Sequence, residues 1–138
     1  MIDLNSSYRR RIDKPWGYEL HWTPDNKPYM GKLIHINEGA RLSLQTHDKK
    51  QESWFLINGR AKVIWEDKNG KLIETEFEKD QGYSCAIGQK HRLAGITDTD
   101  IIEVSTPEIG TTFRLEDDYN RPNETEELRK DPNRGWNE

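Results

Sequence analysis

The sequence predicts an all-β domain, a sandwich or a barrel, and three observations carry that expectation. Short runs rich in β-branched and aromatic residues recur along the chain, and turn-forming residues separate them. Between Trp16 and Phe113 no window of helical length holds an apolar stripe at i, i+3, i+4, i+7. The first expected strand, residues 32–36, is followed by an Asn-Glu-Gly bend at 37–39 and a strand over 41–45. Strands over 53–57 and 61–65 flank Asn58-Gly59, a dipeptide whose tolerance of positive φ suits a tight hairpin. Lys-Asn-Gly at 68–70 turns the chain into 71–77, and Gln81-Gly82 leads into 83–87. Gly88 permits a bend before 91–93, and Gly-Ile-Thr-Asp at 95–98 precedes the last expected strand, 100–105. Helix is confined to the margins. Residues 124–130 form the best candidate, with Asn123 as cap and acidic residues preceding Arg129 and Lys130, but with almost no apolar face; a disordered tail whose one sticky residue is Trp136 is the competing reading.

At 138 residues the chain fits one domain, with 32% hydrophobic and 33% charged residues. The net charge of -4, with both signs interleaved, offers no basic field for nucleic acid or anionic lipid. Cys85 is the only cysteine, so no internal disulfide framework exists. It falls in an apolar run with no evident activating base and reads as inert. Neither a signal-like N-terminus nor a membrane-length apolar stretch is present, and a cytoplasmic location is the default expectation.

Chemistry concentrates in residues 39–59, GARLSLQTHDKKQESWFLING, which place Gln45, His47 and Glu52 at G-x5-Q-x-H-x4-E-x6-G, with His91 downstream. On one strand Gln45 and His47 share a face, because strand side chains alternate, and Glu52 can return to it after a short turn. An imidazole, a carboxylate and an amide oxygen form a mixed N/O set suited to a divalent first-row metal. Two readings stand side by side: metal ligation by Gln45, His47, Glu52 and His91, or a buried polar network of the same residues.

These segments resemble the paired motifs of the cupin superfamily, G-x5-H-x-H-x3,4-E-x6-G and a turn leading into a histidine, with Gln45 where the first histidine usually lies. Within cupins the closer resemblance is to the C-terminal isomerase domain of type II phosphomannose isomerase. KPWG at 14–17, LSLQ with His47, E-x-W at 52–54, G-x-A-K-V at 59–63, HRL at 91–93, IIEV at 101–104 and RLEDDYNR at 114–121 carry it. The resemblance implies a single-domain double-stranded β-helix, or jelly-roll barrel, over residues 14–121, with an N-terminal arm (1–13) and a charged C-terminal tail (122–138). It also implies one divalent ion, zinc first, with manganese, nickel or iron as alternatives. The chain departs from the family's H-x-H-R-x-E-H-W pattern: Lys49 replaces one histidine and Ser53 the one beside the tryptophan.

The activity implied is aldose–ketose isomerisation of a sugar or sugar phosphate, resembling the interconversion of mannose 6-phosphate and fructose 6-phosphate. A metal-dependent oxygenase and a non-catalytic carbohydrate-binding cupin are the alternatives. Glu103 is the first candidate for the base, although strand alternation leaves both of its faces open. Arg114 is a candidate to stabilise an enediolate or hold a phosphate, against a surface salt bridge to Glu116 or Asp117. Lys49 and Lys90 are candidate substrate contacts at an anion-attracting rim that also includes Lys50 and Arg92. A homodimer is expected, formed by N-terminal strand material before Gly31 crossing onto a second barrel.

Overall fold

The computed structural model describes residues 6–132 and Arg134, so Trp136 lies outside the described residues. Eleven strands form two antiparallel sheets. They are β1 (Arg10–Lys14), β2 (Gly17–His21), β3 (Met30–Ile36), β4 (Leu44–His47), β5 (Glu52–Asn58), β6 (Ala61–Glu66), β7 (Leu72–Glu76), β8 (Gly82–Cys85), β9 (His91–Gly95), β10 (Thr99–Ser105) and β11 (Thr112–Glu116). One sheet runs β1-β2-β3-β10-β5-β8 and the other β11-β4-β9-β6-β7. Because neighbours in sequence repeatedly land in opposite sheets, the interior is built from residues far apart in the chain. The fold is all-β and of the cupin double-stranded-helix type.

The interior side chains change character along each strand. β3 points Lys32, Ile34 and Ile36 inward, β5 points Glu52, Trp54 and Leu56, and β10 points Glu103 and Ile101. His91 precedes Leu93 on β9 in the same sense. The register aligns these gradients: Glu103 sits opposite Lys32 on one side and Trp54 on the other, while Ile101 sits opposite Ile34 and Leu56. One end of the interior is therefore an apolar core of Ile34, Ile36, Leu56, Val63, Leu93 and Ile101, and the other end is polar. Trp16 and Trp54 belong to that core and border the polar end, being 2% and 1% exposed. Apolar burial at one end stabilises the sheets and frees the other for groups that would be costly without partners.

Three strands lie outside the runs expected from the sequence. β1 and β2 pair in full register from Arg10 with His21 to Lys14 with Gly17, so part of the 1–13 arm belongs to a sheet. The N-terminal strands expected to cross onto a second barrel pair within their own chain, β2 joining β3. β1 is an edge strand, where charge on the outward side is tolerated, and β2 lies between it and β3. β11 pairs with β4 through Thr112–His47 and Arg114–Gln45. At the C-terminus the helix expected over 124–130 is reduced to a single 3-10 turn, Leu128–Lys130, which has no buried residue. Asn123 does not cap it. Its side-chain oxygen instead accepts from the Arg114 backbone N–H at 2.9 Å. Among the described residues no helix is long and apolar enough to cross a membrane.

Candidate metal centre

Gln45, His47, Glu52 and His91 converge at the polar end of the interior. The first two lie on β4, paired with β9 through Gln45 and His91, and Glu52 reaches across from the other sheet. Gly88 makes the connection between hairpins: with φ of 79° it turns the chain ahead of β9, and its N–H donates to the His47 carbonyl at 2.9 Å. Glu52 Oε1 stands 3.2 Å from His47 Nε2 and 2.7 Å from His91 Nε2. The Gln45 amide lies 3.5 Å from His47 Nε2 and 3.4 Å from His91 Nε2.

These residues fit a metal ion. Donors bound to one ion at about 2.1 Å stand roughly 3.0–3.4 Å apart, and the separations here, 2.7–3.5 Å, bracket that range. The outer nitrogen of each imidazole is engaged, His47 Nδ1 by the Thr112 hydroxyl at 2.9 Å and His91 Nδ1 by the Gln89 carbonyl at 2.9 Å. That arrangement turns both Nε2 atoms inward, the usual second layer of a histidine metal site. Glu52 Oε2 has Lys50 Nζ at 3.1 Å but no well-aligned hydrogen bond. The Gln45 amide has its nitrogen towards the histidines and its oxygen accepting from the Ser43 hydroxyl at 2.8 Å. A flip exchanges the two ends: the oxygen then joins the donor set and Ser43 accepts from the nitrogen, since a hydroxyl serves in either role.

Glu52 supplies the negative charge of this cluster. Burial works against the charge on Glu52, but Lys50 and the two histidines hold its carboxyl well below the usual range. Burial lowers His47. His91 is also disfavoured by burial, yet hydrogen bonds to Cys85 and Glu52 push it up to about 10. Cys85 is thus not isolated, as its sequence neighbours suggested: its sulfur lies 3.2 Å from His91 Nδ1.

Glu103 faces this cluster. It is 4% exposed, accepts from Lys50 Nζ at 3.0 Å and Trp54 Nε1 at 3.1 Å, and lies 3.5 Å from Lys32 Nζ. Burial and the Glu52 carboxylate raise it to about 7 despite the two lysines. Arg114 also lines the interior, but not as a surface salt bridge to Glu116 or Asp117. It pairs with Glu124 at 3.2 Å, and Asp117 is taken by Arg121. Lys49 and Lys90 are exposed and do not line the cavity, a correction to the expected contacts: β4 ends at His47 and the chain bends at 48–49, so the alternation that would have turned Lys49 inward is broken. Lys50 is the lysine that turns in. Arg92 is structural, donating to the Leu42 carbonyl at 2.8 Å.

The cavity encloses about 50 Å³. Sequence reasoning missed much of its wall: Lys32, Glu19, Glu108, Glu124, Arg129 and Arg134 all contribute. Lys32 was discoverable, since it alternates with Ile34 and Ile36, but the C-terminal residues come from a segment without periodicity.

Comparison with known proteins agrees with this architecture. A family model described as mannose-6-phosphate isomerase C-terminal matches residues 3–124. The alginate biosynthesis protein AlgA of Pseudomonas aeruginosa is 34% identical over 115 residues, 80% of this chain and 23% of that protein. Mannose-1-phosphate guanylyltransferase 2 of Escherichia coli O157:H7 is 30% identical over 99 residues, 70% of this chain and 19% of that protein. The chain therefore spans about a quarter or less of these relatives. Among solved structures, a Bacillus subtilis oxalate decarboxylase variant superposes with a TM-score of 0.69 at 17% identity, over 83% of this chain and 33% of that one. The capsular polysaccharide assembling protein CapF of Staphylococcus aureus gives 0.65 at 17% identity, over 80% and 35%. These two likenesses concern the fold alone.

Proposed function

The chain belongs to the mannose-6-phosphate isomerase C-terminal family, and on that premise we propose that it is a metal-dependent aldose–ketose isomerase acting on a sugar phosphate, with mannose 6-phosphate and fructose 6-phosphate as the pair to test. The observation that carries this reading is the placing of Glu103 beside the His47, Glu52, His91 and Gln45 cluster in one buried cavity. A divalent ion held by those four residues would polarise the adjacent carbonyl and hydroxyl oxygens of an aldose or ketose. Isomerisation then requires one proton to leave one carbon and reach its neighbour. Glu103 is the carboxylate suited to carry it, because its environment holds it close to neutrality, where a group can both accept and return a proton. Lys50 and the Trp54 indole N–H fix the orientation of the carboxylate. The Arg114 guanidinium, buried at the same cavity, adds positive charge for an anionic substrate.

Elemental analysis of purified protein, with a mannose 6-phosphate to fructose 6-phosphate assay on wild type and His47→Ala, tests this reading. We expect about one ion per chain in the wild type, at least tenfold less in the variant, and turnover only in the former. Equal metal content would remove the ligand assignment. Metal without turnover would favour the carbohydrate-binding reading, which the replacement of family histidines by Lys49 and Ser53 also supports. The homodimer is retained as part of the proposal on a different surface. Leu20, Leu33, Ile102 and Phe55 stand side by side across β2, β3, β10 and β5 on the outer side of one sheet, with Phe55 41% exposed. Light scattering that returned only the 16.3 kDa monomer at working concentration would refute it.

A further inference from the structure

Part of the cavity wall comes from beyond the family match. That match ends at residue 124, yet Arg129 and Arg134, which follow it, both line the cavity. Thr112 and Glu124 exchange two backbone hydrogen bonds of 2.9 Å, and Thr112 is the residue whose hydroxyl engages His47. Past that fastening the 3-10 turn buries nothing, so polar contacts do most of the holding. Arg129 donates to the Glu124 carboxylate at 2.9 Å and to the Gly110 carbonyl at 2.7 Å. Arg134 donates to Glu108 and to Glu124.

Two features of this wall point to a ligand, and a third shows that the wall must move to admit it. Arg114 Nε and Arg134 Nε are buried N–H donors without an acceptor, on side chains only 5% exposed, and both residues line the cavity. Seven cationic side chains face five carboxylates around it, although the chain as a whole carries a net charge of -4. Its volume, about 50 Å³, is far below the roughly 300–1,000 Å³ typical of sites that engulf a small molecule. Some part of the wall must yield to admit a sugar phosphate. The two sheets are tied by strand ladders and an apolar core, whereas the C-terminal segment is held by one bridge, by its arginines and by polar contacts of Glu124 and of Glu126, which accepts from the Gly110 N–H at 2.9 Å.

We propose that residues 124–132 with Arg134 form a strap that carries the anion-recognition elements of the site. Arg129 and Arg134, with Arg114 from β11, take the phosphoryl group of the substrate, and Glu108 and Glu124 occupy those guanidiniums in its absence. A phosphate dianion offers more acceptor oxygens than a carboxylate, so it can engage several guanidinium forks at once, including the two Nε donors that the glutamates leave unmatched. This inference rests on the sugar-phosphate reading of the site and goes beyond it in assigning the phosphate end to the strap.

Calorimetric titration with inorganic phosphate, and kinetics with mannose 6-phosphate, on wild type, R129A/R134A and R129K/R134K test the proposal. Phosphate affinity should fall at least tenfold in the alanine pair, with a matching loss in kcat/KM carried by KM. The lysine pair should recover part of both, because it keeps the charge but not the fork. If the alanine pair does not fold, R134A alone serves, with a smaller loss in the same direction. Absence of phosphate binding in the wild type, or equal affinity in wild type and variants, would overturn the strap. Arginine-dependent phosphate binding without sugar turnover would leave the strap standing and remove the isomerase. Turnover with an unchanged KM in the variants would do the reverse.

Discussion

The role of Glu103 is decided by its neighbours, not by its own chemistry. A carboxylate on a strand of alternating apolar residues reads equally well as a solvent-facing group, but here it is buried against Lys50, Lys32 and the Trp54 indole. If it carries the proton, Glu103→Gln keeps the shape and loses the base. We expect kcat to fall by about 10²–10⁴-fold, the usual contribution of a positioned acid–base group, with metal content unchanged. Steady-state kinetics paired with elemental analysis check this, and a loss of metal in the variant would place Glu103 in the metal's support instead. Lys49 and Lys50 make a related point: both carry the same charge, and only the second turns inward. Charge counted along a sequence does not say which of two adjacent lysines reaches a cavity.

At the scale of elements, hairpins set the register that brings the site together. The β5–β6 turn was legible as Asn58-Gly59, and its glycine has φ of 80°. An added Cβ there would come within 2.1 Å of the Asp98 carbonyl oxygen, so the turn is both conformationally special and tightly packed. Gly59→Ala should destabilise the protein by about 1–3 kcal/mol, read as a lowered denaturant midpoint with an unchanged slope. An unchanged midpoint would mean that the neighbouring loop yields freely. The edge strands β1 and β11 fall outside the runs expected from the sequence because their composition is charged, and the ladder partner of β11, β4, is remote in the chain.

For the whole molecule, a buried ionic network links the cavity to the C-terminal segment, and it makes stability depend on pH. Burial opposes the charge on Glu124, but Lys14 and the nearby arginines lower its carboxyl to about 2, and Glu19 and Glu108 are also held well below the ordinary range. Each binds fewer protons folded than unfolded, so its stabilising contribution is complete above about pH 4.5 and is lost as pH falls towards 2. The thermal midpoint should fall steeply below pH 4.5, and Glu124→Gln should reduce that acid slope while lowering the midpoint at pH 7. A variant with an unaltered acid slope would show that Glu124 is not part of the linkage. The sequence by itself determined the all-β class, most interior strands and the Gln45, His47, Glu52 and His91 grouping, because alternation, turn residues and motif spacing are local properties. Only the tertiary structure decided that Glu103 turns inward, that Lys50 and Lys32 replace Lys49 and Lys90 at the cavity, and that the C-terminal arginines form part of its wall. Those outcomes depend on which strands become neighbours across two sheets, and burial and charge pairing between remote residues have no signature in any single stretch of chain.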